Sequence, residues 1–351
     1  MAYLLNNYRL FHYLIGRNGV GIVPKAIQSI NFNTQRRIFK AEWPDGKSWF
    51  VKQPFQLTDS QRFTIANEAH TLKIIREVAL LQNSSPQYIF YDPIHKILIT
   101  DFFSEHISLS NQNSISLSKL LLDGNLTRKV AETLAIFHQQ ATCIVKNTKS
   151  TLPFYFFKPP FLADNIAFLS CFFNHELLSP VKRNWLLSLT LESGLSDVLQ
   201  NLNYAWKSDR LIHGDAVFTN LLVQSKEGNI QNVKLCDWEF AGWGDADWDA
   251  ACFFQSILDA YMKMNVNHAI VLAASQDYYR AYTNVCSKPP DLMFEEWFCK
   301  VIKLSAVGLL ERLLGDAAQA RTIKEVNNKL SERVEFLLTR VLLNSNLLRS
   351  F

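Results

Sequence analysis

Over the first hundred residues the apolar positions fall in short β-rich runs around one helical stripe, and beyond about residue 118 helical stripes take over. Arg37–Trp43 and Ser48–Gln53 are the first two runs. Pro44-Asp45-Gly46 between them contains the Asp-Gly pair that suits a tight hairpin. Thr58-Asp59-Ser60-Gln61 has the form of a capping box, in which two side chains take up orphan backbone N–H groups. It predicts the start of a helix that carries Ile65, Leu72 and Ile75 on one face. Gln87–Tyr91 and Lys96–Phe103 read as two further strands, separated by Asp92-Pro93. Ser104–Ser118 is rich in Ser and Asn and has no period, and reads as a passage between lobes.

After this passage Thr127–Gln140 is amphipathic, with Val130, Leu134 and Phe137 on one stripe. Leu152–Asn174 is strongly aromatic and includes Pro159-Pro160, and Arg183–Trp206 is helical. A hairpin, Asn220–Gln224 followed by Val233–Cys236, interrupts the helices; they resume at Trp248, and Glu325–Leu347 is the last. No internal repeat is visible. The order predicts an α+β chain of two lobes: a small β-rich N-terminal lobe over residues 1–104 and a larger, mainly helical C-terminal lobe over 105–351. Ligands tend to bind in the cleft such a clamp encloses.

Composition narrows the class. The chain has 351 residues, 48% of them hydrophobic and only 19% charged, with 25 Phe and 8 Trp, which suits a well-packed globular protein. The net charge of +4 comes from scattered Lys and Arg, so nucleic acid is not expected as a partner. Six cysteines stand without a C-x-x-C pair or a His cluster, and read as buried free thiols in a reducing compartment. Met1–Ile15 mixes apolar residues with Asn6, Asn7, Arg9 and His12 and does not read as a signal peptide. No run of about 18 apolar residues occurs, so no membrane span is expected, and a cytoplasmic location follows.

The chemistry concentrates between Arg210 and Cys252. His213-Gly214-Asp215 is followed by Asn220 five residues after the Asp, just ahead of a strand. Phosphoryl transfer needs a carboxylate to orient an attacking hydroxyl and take its proton, with oxygen ligands for Mg²⁺ close by. Val233–Cys236 then leads into Asp237-Trp238-Glu239, and a hairpin of that length returns Asp237 to the side of Asn220. An Asp and an Asn at adjacent strand ends suit Mg²⁺, which also keeps waters and takes phosphate oxygens.

These motifs, together with Gly244-Asp245-Ala246-Asp247-Trp248-Asp249, resemble the aminoglycoside phosphotransferase and choline kinase-like family, whose fold is protein-kinase-like. The resemblance spans the chain by architecture and is sharp only between about Arg210 and Cys252. It implies Asp215 as the catalytic base, Asn220 and Asp237 as metal ligands, and Asp249 as a buried acid bracing the loop. His213 reads as a packed, hydrogen-bonded support, while Glu239 is left between the metal and solvent. Asp215 is expected to face the cleft near Asn220 and Asp237, with no Arg or Lys neutralising it completely.

The family's small lobe supplies a phosphate-binding Lys with an acidic partner. Alternation in the second strand puts Phe50 and Lys52 on one face, and Glu68 lies on the next helix near Ile65 and Leu72. A Lys and a carboxylate on partly buried faces each need a partner, and each serves the other. Asp101 and Phe102 stand where the family places its hinge, whose backbone would hold the purine base. No G-x-G-x-x-G precedes Lys52; Asn31–Arg36 occupies that place, with Asn33, Thr34 and Gln35 as candidates to meet phosphate.

The resemblance implies an O-phosphotransferase that uses ATP or GTP with Mg²⁺ and a small hydroxylated acceptor. Only about a dozen residues separate Asp237 from Asp249, short for the platform on which a protein kinase lays a peptide. Candidate walls for the acceptor are Phe154–Phe161, Trp243–Asp249 and Trp297–Glu311. Asp245, Asp247, Glu295, Glu296 and Glu311 are candidates to bind a cationic acceptor, although each alone reads better as an ordinary solvated acid. Two alternatives stay open: phosphorylation of Ser or Thr in a peptide during natural-product maturation, and a non-catalytic kinase-shaped binding module. The presence of Lys52, Asp215, Asn220 and Asp237 together weighs against the module.

Overall fold

The computed structural model describes residues 4–18, 22–30, 36–54, 65–103, 106–111, 114–147, 154–163, 194–226, 229–264, 268–286, 293–319, 332–333 and 335–342. The predicted capping box at Thr58–Gln61 and the phosphate-loop candidates Asn33, Thr34 and Gln35 lie outside these residues.

The N-terminal region is a five-stranded antiparallel sheet in the order β1-β2-β3-β5-β4. Its strands are β1 (Ala26–Ser29), β2 (Arg36–Glu42), β3 (Ser48–Pro54), β4 (Tyr88–Asp92) and β5 (Ile97–Asp101). The predicted hairpin joins β2 to β3, and Gly46 adopts the positive φ of 84° that its tight turn needs. Helix α2 (Ile65–Glu77) follows β3 and packs on β4 and β5.

Period-two alternation gives this sheet two different faces. Phe39, Val51 and Ile99 are cross-strand neighbours on the outer face. They share a core with Leu10, Tyr13 and Leu14 of helix α1 (Asn7–Asn18), an element absent from the sequence reading. The Tyr13 hydroxyl donates to Asp92 Oδ2 at 2.8 Å, which ties α1 to the far edge of the sheet. On the inner face Ile38, Lys52 and Leu98 align across the strands. Here Leu98 and the α2 residues Ile65, Ala69, Leu72 and Ile75 join the core of the helical region.

That region contains α3 (Ser114–Leu122), α4 (Asn125–Ile136), α5 (Thr142–Asn147), α6 (Leu195–Ala205), α7 (Ala246–Met264), α8 (His268–Cys286) and α9 (Phe294–Gln319). A π-turn at Phe137–Ala141 links α4 to α5. Three strands, β6 (Ile107–Ser108), β8 (Leu221–Lys226) and β9 (Asn229–Leu235), form one small sheet; β7 (Arg210–Ile212) pairs with β10 (Gly242–Gly244) in another. Thus the stretch read as a bare passage between lobes already contains β6 and the start of α3. Fully buried Phe253, Phe254, Tyr278 and Phe298 make the aromatic centre of the helices. Among the described residues no helix is long and apolar enough to cross a membrane. The described cysteines are all free, but of these only Cys252 is buried: Cys143 is exposed, and Cys236, Cys286 and Cys299 are half-buried, so the expectation of buried thiols is corrected.

Candidate active site

The loop after β7 is built around one buried carboxylate. Asp249, in the first turn of α7, is fully buried and accepts the N–H groups of His213 at 2.6 Å and Gly214 at 2.8 Å. His138 Nε2 lies 2.9 Å from the same carboxylate, and its Nδ1 is 2.9 Å from the Tyr282 hydroxyl. A buried carboxylate costs stability unless donors surround it, and three do so here. The π-turn carries His138, which the sequence reading overlooked because 111 residues separate it from Asp249. Gly214 has a φ of 84°, and a Cβ there would stand 2.6 Å from the Phe240 carbonyl oxygen, so only glycine fits. His213 accepts the Asp215 N–H at Nδ1 (3.2 Å), which leaves Nε2–H to donate to the Cys236 carbonyl at 3.1 Å. It is the packed support expected of it.

Asn220 closes the loop. Its Nδ2 donates to the backbone oxygen of Asp215 at 2.9 Å and to Asp215 Oδ2 at 2.8 Å. The other carboxylate oxygen, Oδ1, pairs with Arg312 of α9. A cation thus meets Asp215 that the sequence did not point to. Arg312 comes from 97 residues away and reaches the loop because α9 packs against α7.

Strands β8 and β9 set the second half of the site. Leu221 pairs with Leu235, and the Cys236 N–H donates to the Asn220 carbonyl at 3.0 Å, so Asp237 follows directly beside Asn220. Asp237 adopts a left-handed conformation (φ 65°, ψ 60°), a strained state for a non-glycine residue that Asp tolerates better than most. The following turn is pinned by the buried Trp238, whose indole N–H lies 2.9 Å from Ser85 Oγ.

Four charged side chains meet at this point. Lys52 Nζ lies 2.7 Å from Glu68, pairs closely with Asp237, and is 3.8 Å from Glu239. Glu239 in turn pairs with the buried Arg36 at 2.6 Å. Ligand oxygens of Glu68, Asp237 and Glu239 all lie within 4.8 Å of one another. Asn67 Nδ2 donates to the carbonyls of Glu239 (2.9 Å) and Ala241 (2.7 Å) and fastens α2 to this turn. The Lys52–Glu68 pair was legible in sequence; Arg36, Asn67 and the inward turn of Glu239 were not.

Electrostatics follow from three carboxylates sharing one lysine. Burial works against the charge on Lys52, but Glu68, Asp237 and Glu239 outweigh it and raise its pKa. Burial pushes Glu68 up to about 7 against the pull of Lys52. Burial also opposes the charge on Asp237, yet Lys52 overcomes this and lowers its pKa.

The structure adds detail at two further places. The Asp101 N–H donates to the Gln87 carbonyl at 3.2 Å and the Phe102 N–H to the Ser48 carbonyl at 2.9 Å. Both are used within the small lobe, so neither can donate to a purine base. The next N–H along the chain, that of Phe103, has no partner among the described residues. The acids suggested for a cationic acceptor also change character. Lys300 lies 2.8 Å from Asp245 and 2.7 Å from Asp247, and pairs with both. Asp245 further accepts the Lys207 N–H at 2.9 Å, and Asp247 the Trp297 indole at 3.0 Å. Glu295 and Glu296 are exposed, and burial raises the pKa of Glu311 while Arg312 opposes the shift.

No protein-family model and no curated protein matches the sequence. Solved structures do match across nearly the whole chain. Choline kinase LicA from Streptococcus pneumoniae is 15% identical, with 94% of this chain and 98% of that one covered and a TM-score of 0.56. A spectinomycin phosphotransferase solved with ADP and spectinomycin is 10% identical over 95% and 94% of the two chains, with a TM-score of 0.55. The GDP complex of an aminoglycoside 2'-phosphotransferase is 13% identical over 95% and 97%, with a TM-score of 0.53. The antiparallel sheet with its inner helix, the braced loop at Asp215 and the helical C-terminal region thus form the protein-kinase-like fold that this chain shares with choline kinases and aminoglycoside phosphotransferases.

Proposed function

We propose that the chain is an O-phosphotransferase that moves the γ-phosphoryl group of ATP or GTP, with Mg²⁺, to a hydroxyl of a small molecule. The observation that carries this reading is the convergence of the Asp215–Asn220 loop and the Lys52–Glu68–Asp237–Glu239 cluster through one backbone hydrogen bond, Cys236 N–H to Asn220 C=O at 3.0 Å. Asp215 orients the acceptor hydroxyl and takes its proton late, because the phosphoryl transition state is loose. Lys52, held in register by Glu68, meets the nucleotide phosphates.

The donor set suits a hard divalent cation. Asn220 directs both amide contacts to Asp215, leaving Oδ1 as its ligating atom, and Asp237 projects from a left-handed turn with its side chain 36% exposed. Asn220 and Asp237 would hold Mg²⁺, with Glu239 and Glu68 as neighbouring carboxylates. When bound, Mg²⁺ supplies charge neutralisation at the phosphate oxygens. A small acceptor fits better than a peptide. The stretch after Asp237 is a short helical turn and β10, which is paired to β7 and hydrogen-bonded through Trp243 to Tyr155 and Phe157 at 2.8 and 2.7 Å. It offers no extended platform.

The direct test is a melting-temperature series with Mg²⁺-ATP and Mg²⁺-GTP. Ligand that binds the folded state raises the midpoint by mass action, by about 2.7 kcal/mol of stability at a hundred times Kd. At least one triphosphate is expected to do so in a Mg²⁺-dependent way. No shift from either at millimolar concentration would end this reading.

A further inference from the structure

The loop from Asp215 to Asn220 reads Ala-Val-Phe-Thr between its two polar ends and contains no cation. Lys52 is surrounded by Glu68, Asp237 and Glu239, and Arg36 is paired with Glu239. These two cations lie on the nucleotide side. At the acceptor side, the cation brought onto Asp215 is Arg312.

Its placement is built in. The Trp248 indole donates to the Gly214 carbonyl at 2.9 Å and so sits on the catalytic loop. Gly308 faces Trp248 so closely that an added Cβ would stand 3.2 Å from the ring and 3.3 Å from Gln255 Nε2. The absence of a side chain there lets α9 come down on the loop. Arg312 lies four residues on, on the same face of the helix, over Asp215. Its side chain pairs with Asp215 and keeps 45% of its surface exposed.

We infer that Arg312 is a catalytic arginine: it holds Asp215 in the resting site and moves its donors to the transferring phosphoryl group when nucleotide enters. This rests on the phosphotransferase reading. An acceptor oxygen must lie about 3 Å from Asp215 and about 3–3.5 Å from the phosphorus. The phosphoryl oxygens therefore come within about 6 Å of a carboxylate that Arg312 already touches, a span its torsions cover. The guanidinium fork matches phosphate better than one carboxylate oxygen. In the step itself the acceptor O–P bond forms and the bridging O–P bond of the triphosphate breaks. The diphosphate leaves with the electron pair, and the hydroxyl proton passes to Asp215. Arg312 keeps its charge throughout and offsets that of the moving group. The same motion uncovers Asp215 only when a phosphoryl group is present.

The test needs no acceptor. Mg²⁺-ADP is titrated with and without aluminium fluoride, which mimics the transferring phosphoryl group, into wild type, Arg312→Gln and Arg312→Lys. Aluminium fluoride is expected to tighten ADP binding at least about tenfold in wild type, and removing one such donor typically costs about 10²–10³-fold in the transition state. Arg312→Gln loses the fluoride gain, Arg312→Lys keeps part of it, and affinity for Mg²⁺-ADP alone moves less than about threefold because ADP lacks the group concerned. An equal fluoride gain in wild type and Arg312→Gln, or none in wild type, overturns the assignment. Failure of wild type to bind Mg²⁺-ADP at all would instead strike the phosphotransferase reading, and this inference with it.

Discussion

Two acidic clusters stand within a dozen residues of one another and use the same chemistry to opposite ends. Asp237 and Glu239 meet Lys52; Asp245 and Asp247 meet Lys300. Around Lys300 every carboxylate has further donors, the Lys207 N–H on Asp245 and the Trp297 indole on Asp247, and the Asp245 side chain is 5% exposed. Around Lys52 and Arg36 three carboxylates share two cations, and Asp237, in a left-handed backbone conformation, keeps 36% of its side chain exposed. A cluster with its donors saturated holds a fold together. One that leaves a carboxylate partly exposed keeps oxygens that could hold a metal ion. Counting acids in the sequence does not separate the two cases; counting donors around each does.

The largest expected effect lies between the clusters. Asp215→Asn keeps the shape of the loop but removes the proton acceptor, so turnover should fall by about 10²–10⁴-fold while nucleotide affinity changes little. Near-normal turnover would move the base elsewhere. Next, Asp237→Asn should weaken Mg²⁺-dependent nucleotide binding by about a hundredfold or more, since loss even of an outer partner of a metal ligand costs 10–100-fold. Asp245→Asn in the other cluster should leave that titration unaltered, and equal losses would erase the distinction.

Stability should show the reverse order. Lys300→Met leaves Asp245 and Asp247 without their cation and should cost about 3–5 kcal/mol in chemical denaturation, as removal of one member of a buried pair usually does. Lys52→Met should cost less, because Asp237 can turn to solvent and Glu68 can take up a proton. The smallest effect is one of pH. Glu68 holds its proton up to about 7 in the folded chain against an ordinary value of 4.5, so the folded state binds the extra proton between these limits. Its contribution to stability, measured without Mg²⁺, is present below pH 4.5 and is lost as pH rises through 7. Glu68→Gln should flatten that part of the stability–pH curve, and a slope left intact would place the titrating proton on another group.

Local signals made much of this legible. Asp-Gly placed the β2–β3 turn, alternation put Lys52 on the inner face, and the Asp215, Asn220 and Asp237 spacing gave the paired loops. What stayed hidden depends on residues distant in the chain. Arg36 meets Glu239 across 203 positions, Asn67 meets the same turn across 172, and neither sequence neighbourhood hints at its partner. Helix α1 was missed although Leu10, Tyr13 and Leu14 have helical spacing, because the run is short and interleaved with polar residues. Position along β5 also does not tell which N–H groups the neighbouring strands have taken, so the use of the Asp101 and Phe102 N–H groups within the small lobe was not legible.

The two bonds from Asn67 have a consequence for control. Kinase-like enzymes that are switched on and off often move their inner helix, separating its acid from the lysine. Here α2 is riveted through Asn67 to the Glu239 and Ala241 carbonyls, so the helix and the strand-end turn travel as one piece. Swinging α2 away from Lys52 would have to break both bonds or carry the turn along. Outward travel of α2 alone would leave the Asn67 amide without either acceptor, so the position of the Glu68 helix and the shape of the turn after Asp237 are set together.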